Sequence, residues 1–179
     1  MTTVAGDFDL TLDELRVVAR YVAESAEPVL PLFARDRPDD PRPGAALAAA
    51  WEFVGGAPRT RLQRVTALDA HRAAREATTE AARLAARAAG DAAAAAYLHP
   101  IARATQVGHI LRAAASAARV AELRAGDDPE AGLRAIDEAR ARATPALVDV
   151  LRRYPPAPTG RSRVAALMSL LDADLRRAT

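Results

Sequence analysis

All three histidines of the chain, His71, His99 and His109, and both glutamines, Gln63 and Gln106, fall between residues 63 and 109, in a stretch dominated by alanine and arginine. Alanine lets helices approach backbone to backbone, so a few large polar groups among methyls either line a groove or meet in a buried hydrogen-bonded network. His99, Arg103 and Gln106 are spaced four and three apart, with His109 three further on. On a helix this spacing makes a drifting polar stripe that presents two imidazoles, a guanidinium and an amide to an anionic or carbonyl ligand. Arg103 would bind the charge and one histidine would move a proton. The plainer alternative has His99 capping the turn before Pro100 while Arg103 and His109 are solvated or make structural hydrogen bonds.

Asp69, His71, Arg72 and Arg75 form a second set on an earlier helix. Asp69 and Arg72 have the spacing of an ordinary ion pair, and His71 with Arg75 lies one turn along another face. If His71 faces the 99–109 stripe, a pocket forms across two helices; otherwise the set is an exposed ion pair and a satisfied histidine. In RDRPDDPRPG, Asp36, Asp39, Asp40 and Arg42 offer carboxylates for general acid or base work or for a cationic ligand, although capping and turn formation explain them as simply. Trp51, the sole tryptophan, reads as a core anchor before a stacking platform. The candidate catalytic residues are therefore His99, His71, Asp69 and Asp40. The candidate ligand-binding residues are Arg103, Gln106, His109, Arg72, Arg75, Trp51 and Asp39.

Several chemistries are excluded. All 25 basic residues are arginine, and cysteine is absent. Without lysine there is no Schiff base and no phosphate-binding Walker loop; without cysteine there is no thiol nucleophile or thiolate metal site. The histidine separations match no zinc pair, so no metal and no cofactor are expected. GRSRV at 160–164 begins like a nucleophile elbow but lacks the closing glycine and a preceding strand. The net charge of +2 comes from interleaved basic and acidic residues, without the clustered basic and aromatic side chains of a nucleic-acid surface. The acidic start MTTVAGDFDLTLDEL resembles no signal peptide, and no long uncharged apolar run suits a membrane. A cytoplasmic protein without nucleic-acid or membrane partners is expected.

The elements that must position these residues read as helices throughout, and no strand is expected. Thr11 and Glu14 have capping-box spacing at a helix start. Pro28 and Pro31 interrupt that helix, and a second runs roughly from Pro43 to Phe53, after Asp40 as N-cap, ending at Gly55 and Gly56. Thr60 opens a long tract up to Gly90, where a C-terminal glycine followed by Asp91 as a fresh N-cap predicts a turn. Further helices are expected from Asp91 to about Leu98, from near Pro100 to Leu123, from Asp128 through Ala139, from Pro145 to Arg153 and from Ser162 to Arg177. The fold class is all-α, a compact irregular multi-helix bundle of about seven or eight helices, with a tail at 1–10 and one helical domain at 11–179.

SAEPVLPLFARDRPDDPRPGAALAAAW (25–51) and AARLAARAAGDAAAAAYLHPIARATQVGHI (81–110) resemble an actinobacterial helical family labelled putative immunity protein and sometimes exonuclease SbcC. The matching features are VLPLF at 29–33, the PDD-x-RP turn at 38–43, Trp51 and AARAAG at 85–90, and the resemblance spans about Leu12 to Ala125. The nuclease label does not suit a chain of this length without lysine. The immunity label implies a helical protein that binds and blocks a toxin, with charges for steering and buried anchors for affinity. A weaker resemblance is to helical accessory proteins of aziridine natural-product pathways that act with a sulfotransferase. That resemblance implies ring closure by an amine displacing an activated leaving group. Asp39, Asp40, Asp69 or a neutral histidine would then remove the ammonium proton, and Arg72, Arg75 or Arg103 would stabilise the departing anion. The expectation is a binding protein with a polar groove for a partner protein or small ligand, with the small-molecule enzyme as the alternative. A water-excluding pocket where the three histidines and an aspartate converge favours chemistry; an exposed Leu, Trp and Arg patch without one favours a partner protein.

Overall fold

The computed structural model describes residues 3–4 and 6–177. Among these residues are nine α-helices and one short antiparallel ribbon, β1 (Thr3–Val4) beside β2 (Leu10–Thr11), a strand pair that the sequence pattern did not predict. Helix α1 (Leu12–Ala26) starts with the expected capping box: the Glu14 N–H donates to Thr11 Oγ1 at 3.1 Å and the Thr11 N–H donates to the Glu14 carboxylate at 2.8 Å. The proline-rich break follows, then α2 (Leu30–Asp36) and α3 (Arg42–Val54). Pro41 rather than Asp40 occupies the cap position of α3, although the Asp40 carboxylate still accepts the Arg42 N–H at 3.1 Å.

The long tract from Thr60 divides. Helix α4 (Arg61–Glu76) opens on a second capping box, Thr60 with Gln63, and stops at Ala77, whose backbone is extended. Thr79 then caps α5 (Glu80–Ala94) by accepting the Ala82 N–H at 3.1 Å. Helix α5 runs straight through Gly90 and Asp91, so the turn expected there is absent. Beyond it come a 3-10 turn (Ala95–Tyr97), an irregular segment, a second 3-10 turn (Ala104–Val107) and α6 (Gly108–Arg124). His99, Arg103, Gln106 and His109 therefore share no helix. Pro100 disfavours helical backbone at His99, and tertiary bonds hold the segment open. Gln106 Oε1 accepts the His99 N–H at 3.2 Å, Tyr154 donates to the His99 carbonyl at 3.0 Å, and the Asp7 carboxylate accepts the Ala102 N–H at 2.7 Å. The chain finishes with α7 (Pro129–Arg142), α8 (Pro145–Arg152) and α9 (Arg163–Arg177), close to the expected bounds.

Helix α5 is the axis of the bundle. It touches α1, α2, α3, α4 and α6, and its residues Ala85, Ala86, Ala88, Ala89, Ala92 and Ala93 are fully buried. Side chains no larger than methyl allow five helices to reach one, and each gains dispersion energy from backbone as well as side-chain contact. Larger groups, including Phe33, Phe53, Ile110, Leu111 and Tyr154, fill the spaces around it.

A buried charge fixes the far side of the bundle. Glu122 on α6 is 1% exposed and accepts from Arg163 Nε at 2.9 Å and Nη2 at 2.6 Å, and from Arg119 Nη1 at 3.0 Å. Gly132 on α7 makes room for it, since a Cβ there would stand 2.7 Å from both Glu122 Cγ and Cδ. The carboxylate is held by two guanidiniums and cannot yield. Gly132→Ala is thus expected to lower unfolding free energy by about 1–3 kcal/mol, against alanine's helix-propensity gain of roughly 1 kcal/mol, as a reduced denaturant midpoint.

Candidate functional site

Asp91 lies in the run AAGDAAAAA, 0% exposed, near the C-terminal end of α5. A lone carboxylate there requires a cation. Arg112, one turn into α6, supplies it in bidentate form: Nε donates to Oδ2 at 2.8 Å and Nη2 to Oδ1 at 2.5 Å. His71 of α4 completes the arrangement, with Nε2 3.6 Å from Asp91 Oδ1. Its ring lies against α5 where Gly90 has no side chain; a Cβ at Gly90 would be 2.9 Å from His71 Cε1. Gly90 thus serves close approach rather than helix termination.

His71, His99 and His109 line one hollow of about 370 Å³, together with Arg64, Ala67, Leu68, Ala94 and Tyr97. The three imidazoles reach it from α4, the irregular segment and the first turn of α6. Tyr97 forms one wall, donating to the Thr60 carbonyl at 2.7 Å, with Arg64 and Arg59 guanidiniums 4.6 Å and 4.9 Å from its ring centre. Burial pushes the pKa of His71 and of His109 below the ordinary 6.5; the Asp91 carboxylate opposes this, and the Arg112 charge reinforces it. His109 Nδ1 is buried without a hydrogen-bond partner among the described residues, so protonation there would bury an unsatisfied N–H. Two neutral imidazoles at neutral pH can accept a proton or a hydrogen bond. No group of three histidines or carboxylates able to hold a metal ion exists among the described residues.

On the other side of His71 is a cleft of about 360 Å³, lined also by Ala74, Arg75, Arg83, Arg87 and Arg112. The remaining sequence candidates do not line either hollow. Asp69 pairs with Arg72 at 2.9 Å on the open side of α4, the exposed ion pair of the plainer reading. Asp40 is tied to Arg42 at 2.6 Å, and Arg42 in turn to Glu76 at 2.6 Å, which holds the α2–α3 connection to the end of α4. Asp39 and Arg103 are exposed. Trp51 is half-buried against the core with the Arg20 guanidinium 5.9 Å from its ring centre. Gln106 is buried and shapes the segment carrying His99 rather than facing the hollow.

Residues 9–146 match the family described as Imm-5 like putative immunity protein. The chain belongs to this family. The match extends beyond both ends of the expected resemblance and contains every residue that lines the two hollows, while α9 lies outside it. No curated protein and no solved structure matches the chain.

Arg64, Tyr97, Asp91 and Arg112 were missed as site residues. Arg64, Leu68, His71 and Arg75 have the four, three, four spacing of one helix face, a visible signal. Asp91 was visible as an unpaired carboxylate among alanines, but its partner 21 residues away was not. Asp91→Asn is expected to lower the His71 pKa further, because the carboxylate is the group holding it up, and Arg112→Gln is expected to raise it; imidazole NMR titration reads both. The unfolded chain, with ordinary histidines, takes up protons before the folded one, so ∂ΔG/∂pH is positive here. Stability is therefore expected to be complete above pH 6.5 and to fall as pH drops through 6.5 toward the lowered values. Thermal unfolding between pH 7.5 and 5.5 tests this, and His71→Gln with His109→Gln should flatten the profile.

Proposed function

We propose that the chain acts in the cytoplasm as an immunity protein, binding and blocking a partner toxin through the outer face of α4, beside the histidine hollow rather than through its imidazoles. One observation carries this reading. Leu62, Val65 and Leu68 are 43%, 39% and 53% exposed, whereas other large apolar side chains of the bundle are mostly buried. They sit three apart along α4 and form one apolar strip. Leu68 also borders the hollow with Tyr97, Arg64 and the histidines. An apolar strip next to Tyr and Arg resembles the centre of a protein interface, where such anchors dominate affinity. Arg61 and Arg64 lie on the same helix beside it and favour an acidic partner surface.

A second reading, ring closure by amine displacement of an activated leaving group beside a sulfotransferase-like enzyme, has one observation in its favour. His71 and His109 are kept neutral in the same hollow, as removal of an ammonium proton requires. Against it, the hollow is open to solvent and Asp91 is neutralised by Arg112.

The test uses a photo-crosslinking residue placed at Val65 in cells that make the protein. The captured partner, expressed alone, is expected to arrest growth, and this chain to relieve the arrest. Leu62→Asp with Leu68→Asp should abolish relief, weakening binding at least about a hundredfold, with helix content unchanged. A harmless partner sinks the immunity reading, and relief that survives both substitutions sinks the surface. His71→Gln with His109→Gln should leave relief intact; the enzymatic reading requires these variants to lose all turnover.

A further inference from the structure

We propose that the cleft between α4, α5 and α6 is a binding site for a compact phosphoryl anion carrying two or more negative charges. Three guanidiniums set it apart. Arg75 comes from the last turn of α4, and Arg83 and Arg87 lie one turn apart on α5. All three face a cavity of about 360 Å³ that also includes Arg112 and His71. Arg112 is neutralised by Asp91, and His71 is uncharged at neutral pH, so neither offsets the other three.

The Arg75, Arg83 and Arg87 guanidiniums have no ion-pair, hydrogen-bond or ring partner among the described residues, although all three border one cavity, in contrast to the arginines that brace the helices. Arg42 is shared by Asp40 and Glu76, Arg119 by Glu80, Glu122 and Asp127, and Arg176 is held by Asp172. With 25 basic and 23 acidic residues interleaved, many guanidiniums find a carboxylate. Glu80, near the same rim, is engaged by Arg119 at 3.2 Å. Three like charges around one cavity repel one another, and an anion between them relieves that repulsion while accepting charge-assisted hydrogen bonds.

The arrangement selects among anions. Donors approach from two helices on different sides of the cavity, so they can meet oxygens pointing in several directions. A tetrahedral phosphoryl group offers these, while a carboxylate offers two oxygens in one plane. The volume suits a pyrophosphate or a small phosphate ester and lies at the low end of ligand-pocket sizes, about 300–1,000 Å³. The cleft continues toward α9 in a space of about 290 Å³ that shares Arg83, Arg87 and Arg112 and adds Val164 and Met168. A phosphate ester could place its organic part there. The site does not depend on the immunity reading, because none of Leu62, Val65 and Leu68 lines it.

His71 provides a built-in reporter. Arg112, Arg87 and Arg75 face it from α6, α5 and its own helix, and Asp91 faces it from α5. An anion among these arginines cancels part of the positive field and should raise the imidazole pKa.

Isothermal titration of the full chain with inorganic pyrophosphate is the direct experiment. Saturable 1:1 binding is expected, falling roughly a hundredfold in Arg83→Gln with Arg87→Gln, about tenfold for each charged hydrogen-bonding group. Both residues are exposed and unpartnered, so the fold should persist, with circular dichroism as the check. Arg134→Gln with Arg140→Gln on α7 removes the same charge elsewhere and should leave affinity unchanged. Pyrophosphate should also raise the His71 pKa in the natural chain but not in the α5 variant. No binding at millimolar pyrophosphate, equal loss in the α7 variant, or full affinity in the α5 variant would overturn the site. Citrate binding as tightly as pyrophosphate would overturn the phosphoryl assignment.

Discussion

The bundle depends on how the Asp91 charge is accommodated. A fully buried carboxylate among alanines would be strongly destabilising unless matched, because desolvation in the interior exceeds what a single weak contact returns. Arg112 resolves this with two hydrogen bonds in one plane, and its partly exposed guanidinium keeps contact with solvent on the far side. The pair fixes the register of α5 against α6. Leu111 and Ile110 beside Arg112 are then fully buried, and His109 is turned to the hollow.

Alanine determines what surrounds this pair. Because α5 has few side chains beyond a methyl, polar groups of neighbouring helices can lie almost on its backbone. The His71 ring at Gly90 is the clearest case, and Glu122 at Gly132 repeats the device on another pair of helices. In both places a glycine admits a large polar group, and in both a buried carboxylate is satisfied by arginine. Lysine, with a single charged nitrogen, could not reproduce the planar two-point grip.

Several helix starts were legible because their chemistry is local. Thr11 with Glu14 forms the capping box that its spacing implies, α4 opens after Thr60 as expected, Asp128 caps α7, and α8 begins at Pro145. The break at Ala77–Thr79 was obscured because alanine-rich periodicity carries on across it, and the tie between Asp36 and Thr78 that stabilises it comes from 42 residues away. Gly90-Asp91 has the local signature of a helix end followed by a cap. Long-range partners, His71 and Arg112, override that signature. The supposed polar stripe at 99–109 failed for a similar reason, since Asp7 and Tyr154 hold the backbone on either side of Pro100 out of a continuous α-helix. The convergence of the three histidines could be suspected from composition, whereas the elements that bring them together could not.

His71 connects these layers. It is a wall of the histidine hollow and of the arginine cleft, and its ring is placed by Gly90 and biased by the Asp91–Arg112 pair. The open face of α4, one turn away, bears Leu62, Val65 and Leu68 in solvent. One helix therefore presents an apolar strip outward and a charge-sensitive imidazole inward. Protonation of His71 would add a positive charge next to Arg75, Arg87 and Arg112 and to the hollow at once, so the electrostatic state of the two spaces cannot be set independently. A protein partner covering α4 would further desolvate this imidazole, and the same burial that keeps it neutral in the free chain would then act more strongly in the complex.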